Sequence, residues 1–249
     1  MSEDMFMDLR GVRSAEREPF RSRSRRKAST RDVLEQHPLF HALSEADIDQ
    51  LLTHARQETV PKGTVIFVKG SPGRGLIALI SGVVKIVGSS AGGREAVLRI
   101  IGPGQVFSEI SLLDGRPRMS TAIALAECEV ASIDRRDFMA VFNKNIGVAM
   151  SMVALLCDRL RGARLQLEDA LFLSPAGHLA KTLVDLSDGA GSRSIGVTQK
   201  ELGQMVGISR ESANKLLRAW AALGWVVVER GTIVVVNRRA LEAFAREKR

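Results

Sequence analysis

The sequence is poor in cysteine. Its two cysteines, Cys128 and Cys157, lie far apart with no Cys-x-x-Cys spacing, which argues against a structural zinc site, an iron–sulfur cluster or a disulfide framework. A reducing cytoplasm is the expected compartment. His37, His41, His54 and His178 show no ligand spacing, so neither a haem axial ligand nor any other metal site is expected. No apolar run approaches the roughly 18 residues that a membrane span needs, and the segment after Met1 lacks the apolar core of a signal peptide. No nucleophile–base constellation, metal spacing or phosphate-cleaving motif is visible, so no catalytic residues are expected and the chain does not read as an enzyme.

With 249 residues, 45% of them hydrophobic, the chain has the length for two domains. Its net charge is +8 and its pI about 10.1, a balance that suits a polyanionic partner. The charge is unevenly placed. Residues 1–31 carry nine Lys and Arg against five Asp and Glu, residues 32–174 carry fifteen against sixteen, and residues 175–249 carry twelve against seven. The excess therefore sits in an N-terminal arm, residues 1–30, and in a C-terminal unit. Within the arm, Arg21-Ser-Arg-Ser-Arg-Arg-Lys27 has no apolar periodicity and reads as a basic disordered segment.

From Val60 to Ile133, short β-branched runs alternate with glycine-bearing turns: Thr64–Val68, Leu76–Ile80, Val83–Val87, Ala96–Ile101, Val106–Phe107, Thr121–Leu125 and Val130–Ile133. Strands so short and so regularly spaced predict a β-roll of the jelly-roll kind over residues 31–136. Helical patterning precedes it over Thr30–Arg56, with Ser44 as an N-cap. After Asp137 about 35 residues contain no proline and two glycines. In that stretch Val153, Leu156, Leu160, Ala163, Leu167 and Ala170 recur at spacings of three and four, the seam of a parallel dimer. Ala149, Met152 and Leu155 form a second apolar line for contact with the chain's own β-domain. Residues 137–173 are accordingly read as one long dimerisation helix, and Ser174-Pro175 starts a new domain over residues 174–249.

That domain carries the sharpest local pattern. Thr198-Gln-Lys-Glu201 is a capping box opening a helix over Gln199–Val206. Gly207 permits a tight turn, and Ser209 caps a second helix from Arg210 to about Leu223. The pair reads as a helix-turn-helix, whose second helix enters the DNA major groove. At about 100° per residue, Arg210, Asn214, Arg218, Glu211 and Lys215 fall between about 0° and 140°, whereas Leu216, Trp220, Ala213 and Leu217 fall between about 240° and 340°. One face packs and the other reads. Arginine and lysine donate to guanine N7 and O6, and glutamate accepts from cytosine N4, so Arg210, Glu211 and Lys215 suit base readout. Thr198, Ser209, Ser212, Asn214, Arg218 and Arg230 are candidates for backbone or secondary contacts. Trp225–Glu229 and Thr232–Val236 form a hairpin wing, with Arg230, Arg238 and Arg239 placed for phosphates.

The order of these parts resembles the Crp/Fnr family of bacterial transcription regulators, also called the catabolite activator protein family, over about residues 32–249. The motif Thr198-Gln-Lys-Glu-Leu-Gly-Gln-Met-Val-Gly-Ile-Ser-Arg-Glu-Ser-Ala-Asn-Lys-Leu-Leu217 is close to that family's helix-turn-helix, with Lys215 where arginine is commoner. Gly104-Gln-Val-Phe-Ser-Glu-Ile-Ser-Leu-Leu-Asp-Gly-Arg-Pro-Arg-Met-Ser-Thr121 resembles its phosphate-binding cassette. The resemblance gives Glu109 the ribose hydroxyl and Arg118 the cyclic phosphate, and it adds Ser108, Met119, Ser120, Ala163 and Arg164 to the effector site. Three departures stand out: Ser108 replaces the usual glycine, Met119 replaces a small residue, and Ala163 with Arg164 replaces polar helix residues that touch the base.

The expected fold is α+β: a jelly-roll-like β-roll sensor, a long dimerisation helix and a C-terminal winged helix-turn-helix. The expected function is sequence-specific DNA binding by a homodimer at a near-palindromic operator. Its partners are double-stranded DNA, a second copy of the chain and RNA polymerase, with no membrane. No cofactor is required, and cyclic AMP or cyclic GMP is the candidate effector. A cyclic-nucleotide-binding regulatory module acting through protein or membrane contacts is the other reading, and only the first should enrich a palindrome from random DNA.

Overall fold

The computed structural model describes residues 29–189, 194–229 and 231–247. The basic stretch Arg21–Lys27 and Arg230 lie outside the described residues. The chain opens with helix α1 (Thr30–Gln36), a short 3-10 turn at Pro38–Phe40 and helix α2 (Glu45–His54). Both helices begin on complete capping boxes, Ser29 with Asp32 and Ser44 with Asp47. Each box satisfies backbone N–H groups that a helix leaves unpaired at its start.

The β-roll follows: β1 (Arg56–Val60), β2 (Val65–Phe67), β3 (Gly75–Ser81), β4 (Val84–Ser89), β5 (Glu95–Ile101), β6 (Val106–Phe107), helix α3 (Glu109–Asp114), β7 (Thr121–Ala124) and β8 (Cys128–Asp134). Two antiparallel sheets form, in the orders β1-β8-β3-β6 and β2-β7-β4-β5. Strand β3 explains their layering. Ile77 and Leu79 face the second sheet with Val84, Ile101, Phe107 and Val130, while Leu76, Ala78 and Ile80 face the helices with Leu34, Phe40, Phe138 and Met152. Both faces are covered, so β3 is an unbroken apolar run. Strand β1 was not legible in the sequence, because four of its five residues are exposed and polar or charged. It pairs along β8 from Arg56↔Ser132 to Val60↔Cys128.

The segment 137–173, read as one helix, is two. Helix α4 (Arg135–Phe142) and helix α5 (Ile146–Phe172) meet at a bend of 114°. Asn145 makes the break. Its Oδ1 accepts from the N–H groups of Gly147 and Val148, and its Nδ2 donates to the Ala42 carbonyl at 2.9 Å. A capped start fixed to a neighbouring loop cannot continue the previous helix axis. Helix α5 is 27 residues, or about 40 Å. It lays Val148 and Met152, with Leu155 and Leu156 partly buried, against the roll. Among the described residues no single helix is long and apolar enough to cross a membrane.

The C-terminal unit contains α6 (Pro175–Gly189), β9 (Ser194–Ile195), α7 (Gln199–Val206), α8 (Arg210–Ala222), β10 (Val226–Glu229), β11 (Thr232–Val235) and α9 (Arg238–Glu247). Strand β9 joins the β10–β11 hairpin through Ile233↔Ile195, giving a third strand that two residues are too short to announce. Helix α9 closes the core, with Phe244 edge-on to Trp220 at 5.6 Å and to Trp225 at 5.9 Å.

Candidate functional site

The helix-turn-helix is built by hydrogen bonds between residues close in sequence. Thr198 Oγ1 accepts from the Glu201 N–H at 3.2 Å, and Glu201 accepts from the Thr198 N–H at 2.9 Å. Gly207 closes α7 at φ 78°, a left-handed position that glycine takes without strain. Ser209 Oγ then accepts from the Ser212 N–H at 3.1 Å and starts α8. Gly203 is a contributor that the sequence pattern did not single out. Its carbonyl accepts from the Ile208 N–H at 2.9 Å, and a Cβ placed on it would lie 2.7 Å from the Ile208 carbonyl oxygen. The backbones of α7 and the turn meet there, and the signal is a glycine inside an otherwise regular helix.

On α8, Ala213, Leu217 and Trp220 are buried and Leu216 is packed beside them, whereas Arg210, Glu211, Ser212, Lys215 and Arg218 are exposed and Asn214 is half-buried. The division is the one expected from angle. Glu211 is held below the usual carboxylate range by its own backbone N–H and by the Ser209 hydroxyl, so it stays an acceptor. Arg238 is a correction. It was expected to contact phosphate, but it is clamped by both oxygens of Asp188 and by Glu242 at 2.6 Å. Arg239 remains exposed.

The second site lies in the β-roll. Ser108 is the one non-glycine residue with positive φ, 76°, among the described residues. A left-handed conformation there is strained by about 1–3 kcal/mol. Its hydroxyl offsets that: Oγ donates to the Gly75 carbonyl at 2.8 Å and accepts from the Arg118 guanidinium. Arg118, 8% exposed, also lies 3.8 Å over the Phe67 ring, a cation–π contact. Burial pulls the Arg118 guanidinium below its ordinary pKa. The Gly70 N–H donates to the Arg118 carbonyl and the Arg118 N–H to the Ser71 carbonyl, fixing the loop.

Glu109, 6% exposed, opens α3. It does not pair with Arg118. Its partner is Arg159 on α5, whose Nε donates to Glu109 at 3.0 Å while another guanidinium nitrogen donates to the Val106 carbonyl at 3.2 Å. Arg159 was missed in the sequence, although a charged residue seven positions after Met152 on a packing stripe was a signal. Arg99 on β5 was missed as well. It lies two residues before Ile101 on the inward face of the strand, opposite Ile86 and just after a bulge that breaks the alternation from Val97.

The other proposed effector residues are not gathered here. Met119 is 71% exposed. Ala163 and Arg164 are exposed on α5, Arg164 pairing with Glu168 at 2.9 Å. Ser120 is half-buried beside the loop. Cys128 is buried, with its thiol raised by that burial, and Cys157 is exposed on α5. The two domains also touch: Lys85 on β4 reaches Glu201 of the α7 capping box at 3.5 Å.

A jelly-roll sensor joined by a long helix to a winged helix-turn-helix defines an effector-linked DNA-binding protein. Residues 57–145 match the cyclic nucleotide-binding domain family and residues 177–244 the Crp-like helix-turn-helix domain family. The chain is 33% identical over 208 residues to the cyclic AMP receptor protein of Thermus thermophilus, covering 84% of this chain and 96% of that protein. It is 31% identical over 222 residues to the CRP-like cAMP-activated global transcriptional regulator of Mycobacterium tuberculosis, covering 86% and 99%. Its fold is similar to that of the c-di-GMP responsive global regulator CLP of Xanthomonas campestris, with TM-score 0.66, 25% identity, and coverage of 77% of this chain and 99% of that one. The chain belongs to the Crp/Fnr family and is a DNA-binding transcription regulator with a cyclic nucleotide-binding domain.

Proposed function

We propose that two copies pair along α5, present their recognition helices to successive half-sites of a near-palindrome about one helical turn apart, and recruit or block RNA polymerase in the cytoplasm. The observation that carries the pairing is the exposed apolar stripe of α5. Leu160 is 72% exposed, and Val153, Leu167, Ala163 and Ala170 are exposed along the same face, while Leu156 is partly buried against the roll. A contiguous apolar stripe of that length is unfavourable in water and favourable against its own copy.

Arg210, Glu211 and Lys215 read base edges, and Asn214 and Arg218 flank them. Thr198, Ser209 and Ser212 add contacts at the two helix starts. The α7 and α8 N-termini supply N–H groups for phosphates as well. A cyclic nucleotide, cyclic AMP and cyclic GMP being the candidates, places its phosphate on Arg118 and its ribose hydroxyl on Glu109, beside Ser108 and Ser120. Because Arg159 of α5 holds Glu109, a ligand there competes for a link between sensor and dimer helix, and it biases the orientation of the DNA-binding units through the hinge at Leu173–Ser174. Only a difference in affinity between two orientations can do so. The roll with helices α1 to α4, helix α5, and the unit from Ser174 onward are the parts that move against one another.

Selection from random DNA should enrich a palindrome, and Arg210→Ala, Glu211→Ala and Lys215→Ala should each relax preference at one base pair by about 1–3 kcal/mol. Unchanged preference in all three would remove α8 as the reading element. Leu160→Glu should convert a dimer to a monomer in sedimentation and abolish operator binding. A dimer that survived it would move the interface elsewhere.

A further inference from the structure

The effector site proposed above holds more positive charge than one cyclic phosphate requires. The Arg159 guanidinium is bonded to the Glu109 carboxylate, the Arg99 guanidinium lies in the field of both, and Arg118 is held by Ser108, the residue before Glu109. Two of the three are engaged: Arg118 by Ser108 and Phe67, Arg159 by Glu109 and the Val106 carbonyl. The Arg99 guanidinium makes no hydrogen bond or ion pair with any described residue. It is half-buried on β5, in register with Ile86 and on the face that carries Ile101 into the roll. Burial and the neighbouring Arg159 charge pull it down to about 10, against a smaller opposing effect of Glu109. An unpaired cation beside another cation on the inner face of a strand opposes folding. A valine or threonine would serve the strand better. Local rules are broken in this way where a site needs the group.

The position of Arg99 narrows what it is for. It lies in the fields of Glu109 and Arg159, the ribose end of the pocket as read above, rather than beside the Ser108–Arg118 contact. We propose that Arg99 is a specificity residue that donates its two-pronged guanidinium to O6 and N7 of guanine, so that the effector is a guanine-bearing cyclic nucleotide. Both guanine atoms are acceptors, whereas adenine presents an N6 amino donor where guanine has O6, so the same fork faces a donor and loses one bond. This inference rests on the reading of the pocket as a nucleotide sensor, with Arg118 on phosphate and Glu109 on ribose.

The test is calorimetric titration of the full-length protein with cyclic GMP, cyclic di-GMP and cyclic AMP, repeated on Arg99→Ala, Arg99→Lys and Arg118→Ala. Wild type should bind at least one guanine nucleotide about 5- to 150-fold more tightly than cyclic AMP, the range one bidentate contact provides. Arg99→Ala should remove that preference while leaving cyclic AMP binding within a few-fold and the melting temperature unchanged or higher. Arg99→Lys keeps the charge without the fork and should also lose the preference. Arg118→Ala should weaken every nucleotide alike. Tighter binding of cyclic AMP than of both guanine nucleotides overturns the proposal and leaves the sensor reading intact. A guanine preference that survives in Arg99→Lys overturns it too, since Arg99 would then act as a charge, on a second phosphate for instance. Binding of none of the three by wild type overturns the sensor reading itself, and the role of Arg99 with it.

Discussion

The helix-turn-helix and the proposed effector site are both made of charged residues on a packed scaffold, yet they are assembled differently. The helix-turn-helix is organised by contacts between residues three to five positions apart: Thr198 with Glu201, Gly203 with Ile208, Ser209 with Ser212. At the proposed effector site, Glu109 meets Arg159 from 50 positions away, and Arg118 meets Ser108 from ten positions away across α3. A unit built from local contacts keeps its form while the whole molecule reorients. A pocket built from distant elements reports on whether those elements are together, which is what a sensor needs.

The comparison can be broken first at Gly203. Gly203→Val forces the turn away from α7 and should destabilise the C-terminal unit by about 3 kcal/mol, measured by denaturant unfolding, with loss of operator binding and an unchanged β-roll. If the roll unfolds with it, the two units are one cooperative block. Next is Arg159→Ala, which leaves Glu109 buried without its charged partner at 3.0 Å. It should cost about 2 kcal/mol in the roll and leave the melting of the C-terminal unit in place. An equal loss in both would show that the pocket is not a separate assembly.

Ser108→Gly is expected to act with the opposite sign. It removes left-handed strain of about 1 kcal/mol or more and also releases Arg118 from the Ser108 hydroxyl. Nucleotide affinity should rise a few-fold in calorimetry with little change in melting temperature, whereas weaker binding would make the hydroxyl part of the ligand shell. The smallest effect concerns His37, which burial, with Arg159, His41 and Arg99 adding to it and Glu109 opposing, pulls down to about 4 from 6.5. Its Nδ1 accepts from the Leu39 N–H at 3.1 Å, which requires the unprotonated ring. The unfolded chain takes up a proton at higher pH than the folded one, so stability is full above about 6.5 and declines as pH falls toward about 4. Thermal melts across that window should show the decline in wild type and a shallower one in His37→Asn, which keeps an acceptor for Leu39 without the titration.

Much of the fold was legible because its signals are periodic or local. The alternating runs from Thr64 to Ile133 located seven strands, and the Ser44 and Thr198 caps located helix starts within a residue. Strand β1 was not legible, since Arg56–Glu58 and Thr59 face solvent and are ordered by pairing with β8. Of the proposed effector site, Glu109 and Arg118 were legible as candidates through a contiguous motif. Arg99 and Arg159 were not, because each lies in a different element and gains meaning only from what packs against it. The wing arginine Arg238 was misassigned for the same reason: its partner Asp188 is 50 positions away.

The sequence by itself determined which face of α8 packs and which stays exposed, since hydrogen bonds spanning a few residues and a 3.6-residue period are fixed by the order of side chains. It also determined that one stripe of α5 is apolar. The tertiary structure decided which charges neutralise one another, where the helix bends at Asn145, and that Arg99 is left unpaired beside Glu109 and Arg159. The reason is electrostatic and steric: the energy of a buried charge depends on its distance to other charges and on its separation from water, and neither quantity is set until the two sheets and the long helix have closed on each other.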